Sequence, residues 1–181
     1  MARFVALLRG INVGNANRVP MAELRALLSG LDYAQVATLL NSGNAAFSAT
    51  SGSAGRHAQA IATALAGQLG VDVPVIVKSA GELGAIVAAN PIAIEAPNHS
   101  RLLVAFAQDA KSLATLAAVA PLVAPPEQFV IGRGAAYLLC PAGIHESKAA
   151  VALLGKAGRS ATTRNWATVL KLQALAMAHD G

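Results

Sequence analysis

Two polar segments contain most of the side chains that could bind a ligand. RGINVGNANR occupies residues 9–18, between a hydrophobic run and a predicted helix, and NSGN occupies residues 41–44. Arginine binds oxyanions through its planar guanidinium, amides both donate and accept, and glycine lets backbone N–H groups approach a ligand closely. Neither segment contains an acid, so together they predict a donor-rich site for a small anion such as a phosphate, nucleotide or carboxylate. The candidate residues are Arg9, Gly10, Asn12, Gly14, Asn17, Arg18, Ser42, Gly43 and Asn44.

The segment 9–18 is longer than a connection normally needs, since two to six residues usually suffice. Each Asn taken alone is more typical of a tight turn, but the combination in an oversized loop favours a binding site. The loop also leads into the positive N-terminal end of a helix predicted to begin near Pro20. No Walker or Rossmann glycine pattern is present, and no cofactor is predicted.

The segment TTRNWATV near the C-terminus contains a second candidate cation. Thr162 or Thr163 could cap a helix that begins near Arg164. An arginine in a first turn opposes the helix dipole, which indicates another role. Clamping an external anion and pairing with Asp32 or Asp72 both remain open.

Groups suited to catalysis are sparse. The four histidines lie outside these segments and have no metal-ligand spacing: His57, His99, His145 and His179. General acid–base catalysis needs a group that titrates near neutrality, and the two segments supply none. The sequence therefore favours binding over catalysis and predicts no metal site. An enzyme that uses the donors to stabilise an oxyanion remains the alternative.

Composition limits the class of protein. With 181 residues, 55% hydrophobic and 13% charged, the chain is typical of a compact globular protein. No apolar run reaches the roughly 18 residues of a membrane span, and the N-terminal run is too short for a signal peptide. The single Cys140 is typical of a reducing compartment. A cytoplasmic protein without membrane contact is predicted.

The net charge of +5 favours anionic partners. The basic residues are scattered, so a small anion and a nucleic-acid backbone both fit. Recognition of bases by stacking is disfavoured, because the predicted strands have few aromatics and lack the RNA-recognition pattern.

Hydrophobic periodicity predicts the order β-α-β-β-α-β in residues 1–78. This is the ferredoxin-like pattern, in which the fourth strand lies at a sheet edge, where Pro74 would be tolerated. The first two strands run in the same direction in that topology. The loop 9–18 and the turn 41–44 should therefore meet at one end of the sheet.

The same order recurs after residue 100. We predict an α+β fold of two tandem ferredoxin-like halves with antiparallel sheets, followed by a C-terminal helix from about residue 164. The predicted boundaries are 1–78, a helix and Pro-containing connector at 79–100, and 101–181. Because the second unit is already complete at the strand before it, the last helix is expected to pack in the groove between the halves.

That placement would direct Arg164 toward the loop and the turn. As an exposed first-turn residue, Arg164 should be replaceable by Ala with little loss of stability.

Three stretches carry a family resemblance: LLRGINVGNANRVPMAELR, NSGN and ATTRNWATVLKL. Together with VPVIVK and PAGIHESK, they resemble domain-of-unknown-function family 1697, small bacterial α+β proteins without an assigned activity. The resemblance covers nearly the whole chain and implies a two-part α+β fold. It adds further signature positions to the candidate site: Lys148, Arg164, Asn165 and Trp166.

The chain departs from the family pattern at two places. A Gly and a Lys usually follow Gly14, where this chain has Asn15 and Ala16, and a Gln usually precedes Ser42, where it has Asn41. The missing Lys makes the loop less positive. Trp166 lies on an apolar helix face with Val169, Leu170 and Met177, where packing is more typical than ligand stacking.

Overall fold

The computed structural model describes residues 1–178, which form an α+β protein with two four-stranded antiparallel sheets. His179 lies outside the described residues. The chain divides into two compact units. One consists of Met1–Leu83 together with residues 171–178, and the other of Gly84–Leu170. The predicted α+β class and the antiparallel sheets are confirmed.

The first sheet has the strand order β2-β3-β1-β4. Its strands are β1 (Ala2–Leu8), β2 (Ala34–Leu39), β3 (Asn44–Ala49) and β4 (Val75–Ser79). Its helices are α1 (Met21–Gly30) and α2 (Ala54–Ala64), and a single π-helical turn (Leu65–Leu69) extends α2. Strand β4 lies at an edge, with Pro74 just before it, as the sequence predicted.

The core of the first unit lies between one face of this sheet and the two helices. Alternate residues of a strand point to the same face, so Phe4 of β1 and Phe47 of β3 meet with ring centroids 5.5 Å apart. Tyr33 stacks on Phe47 at 4.2 Å and lies 2.8 Å, Oη to Nδ1, from the buried His57. An aromatic cluster therefore joins the sheet to α2.

The second sheet repeats the arrangement in the order β6-β7-β5-β8. Its strands are β5 (Leu102–Ala107), β6 (Gln128–Ile131), β7 (Ala135–Leu139) and β8 (Ala161–Asn165). Two helices, α4 (Ala110–Ala114) and α5 (Lys148–Leu154), pack on it. Both helices are short and adjoin 3₁₀ segments: Thr115–Leu122, Ile144–Glu146 and Lys156–Gly158.

Each sheet is followed directly by one more helix. Helix α3 (Ala80–Ala88) begins at the residue after β4, and α6 (Trp166–Met177) begins at the residue after β8. The repeated unit is therefore β-α-β-β-α-β-α. The predicted C-terminal helix follows β8, and α3 has the same position after β4.

The last residue of each edge strand caps the helix that follows. Ser79 Oγ accepts from Glu82 N–H at 3.1 Å, and Glu82 Oε2 accepts from Ser79 N–H at 2.8 Å, which together form a capping box. At the corresponding position Asn165 Oδ1 accepts from Thr168 N–H at 2.9 Å. The two strand-to-helix junctions thus use the same device.

These junctions correct the prediction for Arg164. It lies in β8 opposite Val104, and Asn165 continues the ladder opposite Leu103, so neither residue is in a first helical turn. The cap is Asn165, not a threonine. The argument that Arg164 opposes the dipole of the following helix is therefore wrong.

Among residues 1–178, no helix combines the length and the apolar composition needed to cross a membrane.

Candidate functional site

The loop 9–18 and the turn 41–44 meet at one end of the first sheet. Asn12 Nδ2 donates to the backbone carbonyl of Asn41 at 2.7 Å. On the same side, Leu8 N–H donates to the carbonyl of Gly43 at 2.9 Å. The predicted meeting of these segments is confirmed, because β1 and β2 both end there.

Asn12 holds the loop together from within. Its Nδ2 donates to Val19 C=O at 2.9 Å and its Oδ1 accepts from Val19 N–H at 2.8 Å. Its own N–H donates to Asn17 C=O at 3.1 Å, and its backbone adopts φ 57°. Both side-chain polar atoms are therefore bonded to protein groups, and Asn12 holds the loop in its conformation.

The turn is equally well determined. Gly43 adopts φ +92°, and a Cβ there would lie 2.7 Å from Leu8 Cβ, closer than real Cβ atoms approach. Asn44 is fully buried, and its Nδ2 donates to Leu39 C=O and to Ser42 Oγ, both at 2.9 Å. Glycine and asparagine are thus required here by the backbone.

A cavity of about 300 Å³ opens where the loop, the turn and the start of α1 come together. Its lining residues are Asn12, Arg18, Val19, Pro20 and Asn41. Arg18 supplies a positive charge and none of the five is acidic. Such a lining suits a small oxyanion. The sequence analysis did not include Asn41 among the candidate residues. Its position next to Ser42, Gly43 and Asn44 could have identified it as a lining residue.

The outer part of the loop is accessible. Gly10, Gly14 and Asn17 are exposed and adopt φ values of 70°, 60° and 50°. Two apolar side chains also point outward beside the cavity: Val13 is 70% exposed, and Leu40 is 53% exposed with φ +59°. A left-handed leucine is uncommon, and no feature of the local sequence predicts it.

Arg9 is placed deeper than Arg18. Its side chain is half-buried, and its N–H donates to Pro74 C=O at 3.0 Å, which fixes the start of the loop against β4. Burial lowers the pKa of the Arg9 guanidinium, which still carries its charge at neutral pH. The loop therefore has one exposed and one half-buried cation.

Two further candidate cations lie in the second unit. Lys148 is exposed at the first residue of α5, which Ser147 caps by accepting from Ala150 N–H at 3.0 Å. Arg164 is half-buried in β8, and its Nη1 donates to Thr163 C=O at 3.0 Å. Burial lowers the pKa of Arg164 to about 10, so it also stays cationic at neutral pH.

Trp166 begins α6 and is only 7% exposed, and Val169 is fully buried. An indole so covered has a packing role, as its apolar helix face predicted. Met177 is 64% exposed, so the prediction that it shares the buried face is wrong.

Comparison with known proteins agrees with the fold. The family model described as "Protein of unknown function (DUF1697)" matches residues 1–137. A solved structure, described as conserved bacterial protein SP0830 from Streptococcus pneumoniae, is similar with a TM-score of 0.80 and 25% identity. The match covers 96% of this chain and 98% of that one. A search of the curated proteins finds no match.

Proposed function

We propose that this chain, which belongs to the DUF1697 family of proteins of unknown function, binds a small oxyanion at the cavity beside Arg18. The candidate ligands are a phosphate, a nucleotide phosphate or a carboxylate. The observation that carries the proposal is a cavity at the start of a ten-residue helix whose lining has an arginine and no acid.

Three physical effects support an anion at this position. The guanidinium of Arg18 is exposed and offers a planar fork of donors. The N-terminal end of α1 contributes a weak positive potential. The hydrogen bonds of Asn12 hold the cavity wall in place before a ligand arrives, which reduces the ordering cost of binding.

The hydrogen-bond partners of the asparagines support a division between groups that contact the ligand and groups that support the cavity. Asn12 and Asn44 bind protein atoms, so we assign them to the support of the cavity rather than to the ligand. Arg18 is the first choice for direct contact, with the exposed loop backbone near Gly14 and Asn17 as a second source of donors.

The experiment is a thermal-shift titration of the full chain with inorganic phosphate, adenosine monophosphate and citrate. A ligand that binds only the native state adds RT ln(1 + [L]/Kd) to the free energy of unfolding and so raises the melting temperature. We expect a shift with at least one of these anions, lost in Arg18→Ala and retained in Lys111→Ala. Lys111 is an exposed cation on α4, so the control removes the same charge elsewhere. If both variants lost the thermal shift equally, the shift would depend only on net charge, and the proposed site would be rejected.

For the fold, we infer that each half is a ferredoxin-like unit and that the boundaries 1–78, 79–100 and 101–181 mark the duplicated segments. The repeated order β-α-β-β-α-β and the equivalent strand orders in the two sheets support this inference. The approach of Arg164 to the loop and the turn stays a prediction.

A further inference from the structure

We propose that β6 is a self-association edge, through which two copies of this chain pair their β6 strands antiparallel about a two-fold axis at Val130. The proposal is independent of the anion site. It rests on the openness of this edge, its apolar side chains and the order of the charges that flank it.

Strand β6 is an open and regular edge. It pairs with β7 in continuous register from Gln128 to Ile131. The strand in the same position of the first sheet, β2, is interrupted by a register shift between Ala34 and Ala37, with Gln35 at φ 50°. Bulges of that kind protect an edge from pairing with another chain. The first sheet has this protection and β6 lacks it.

The ladder shows which groups face outward. Gly132 N–H donates to Ala135 C=O at 2.9 Å, so the backbone groups two residues back, at Val130, also face β7. Those of Phe129 and Ile131 consequently face the open edge. Val130 and Ile131 are each 38% exposed, although they are apolar. The strand thus offers both backbone groups and apolar side chains to a partner.

The flanking charges select a second copy as that partner. The sequence through this strand reads EQFVIGR, from Glu127 to Arg133. Antiparallel pairing centred on Val130 places Glu127 opposite Arg133 of the second copy, and Phe129 opposite its Ile131. The two-fold axis repeats both pairs.

The backbone pattern agrees with that register. Phe129 and Ile131 both have outward-facing groups, so they can form the hydrogen-bonded pairs, and Val130 meets its own copy in a non-hydrogen-bonded pair. The Glu127 carboxylate already accepts from Ala124 N–H through Oε1 at 3.0 Å. Its second oxygen is the one that would meet the guanidinium of the second copy.

Sedimentation velocity of the full chain, from micromolar to millimolar concentration, is the first test. We expect a reversible monomer–dimer equilibrium. Arg133→Glu should weaken the dimer about tenfold, because it places like charges opposite each other twice. The double variant E127R/R133E should restore most of the affinity. A protein that stays monomeric, or a dimer that R133E leaves unchanged, would overturn the proposal.

Cysteine crosslinking tests the register itself. In V130C the two thiols would lie on the axis, with Cα atoms about 4.5 Å apart, within the range of a disulfide. In the matched control Q128C the corresponding residues would be about 14 Å apart along the strands, which is too far. Mild oxidation should crosslink V130C at least about tenfold faster, with the native Cys140 protected by burial. Equal rates would reject the pairing centred on Val130.

Discussion

The side-chain amide of Asn12 lies 2.7 Å from the backbone carbonyl of Asn41, and this hydrogen bond joins two segments 29 residues apart in the chain. The same nitrogen donates to Val19, where the loop ends. One side chain therefore fixes the shape of the loop and its position against the turn. An asparagine is well suited to this place because it tolerates the left-handed backbone conformation and offers both a donor and an acceptor.

Replacing Asn12 with Ala should destabilise the protein by about 1–3 kcal/mol, because Val19 and Asn41 lose their partners. The free energy of unfolding in urea measures this loss. Asn15→Ala, an exposed asparagine in the same loop, should stay within about 0.5 kcal/mol of the wild type. Equal stabilities for the two variants would contradict the bracing role of Asn12.

Glycine substitutions should separate backbone strain from steric overlap. Gly14→Ala meets open space at φ +60° and should cost about 1 kcal/mol. Gly43→Ala has a positive φ as well, and its new Cβ would also lie 2.7 Å from Leu8 Cβ. The overlap should add about 1–3 kcal/mol to the strain. Comparison of the two unfolding free energies checks this, and similar values would mean that the turn moves freely away from β1.

Local hydrophobic periodicity was sufficient to predict the strands and the end of the sheet at which the candidate site forms. Apolar runs such as RFVALL become β1, and the direction of the strands requires the loop and the turn to share an end of the sheet. Gly43 lies in the predicted turn 41–44 and has a positive φ of 92°. These features depend on short-range patterns and on a small number of allowed topologies, which a single sequence contains.

The boundary between β8 and α6 could not be predicted from local patterns in the same way. Threonine suits a helix cap and a strand equally, so TTRN is locally ambiguous. The pairing of Arg164 with Val104, sixty positions away, decides for the strand. The role of the asparagines was hidden for a similar reason, since the sequence does not specify whether an amide faces a ligand or, as with Asn12, its own loop.

Stability should fall in mild acid because of His57. Burial lowers the pKa of this imidazole below its ordinary value of about 6.5, outweighing the carbonyls of Ser51 and Gly52, which raise it. As pH falls below about 6.5, the unfolded chain binds a proton that the folded protein still refuses, so the free energy of unfolding decreases. The decrease ends once pH is below the lowered pKa of the folded state. Urea midpoints between pH 7.5 and pH 5 measure the slope.

His57→Gln provides the control for that slope. A glutamine does not titrate, so the variant should lose stability less steeply over the same pH range, whatever its stability at pH 7.5. A His57→Gln variant with an unchanged slope would assign the acid sensitivity to other groups.

The last prediction concerns Arg164, whose position in β8 reverses the expectation from the sequence. A half-buried guanidinium with a pKa of about 10 remains charged at neutral pH, and its Nη1 donates to Thr163 C=O at 3.0 Å. Arg164→Ala removes a charged donor and the packing of its stem against the sheet, so we expect a loss of about 2 kcal/mol. The exposed Arg159, replaced by Ala, should lose less than about 0.5 kcal/mol. Arg164→Lys should fall between them, because lysine keeps the charge without the planar fork. If the Arg164→Ala variant were as stable as the wild type but lost the anion-induced thermal shift, the result would instead indicate that Arg164 binds the anion.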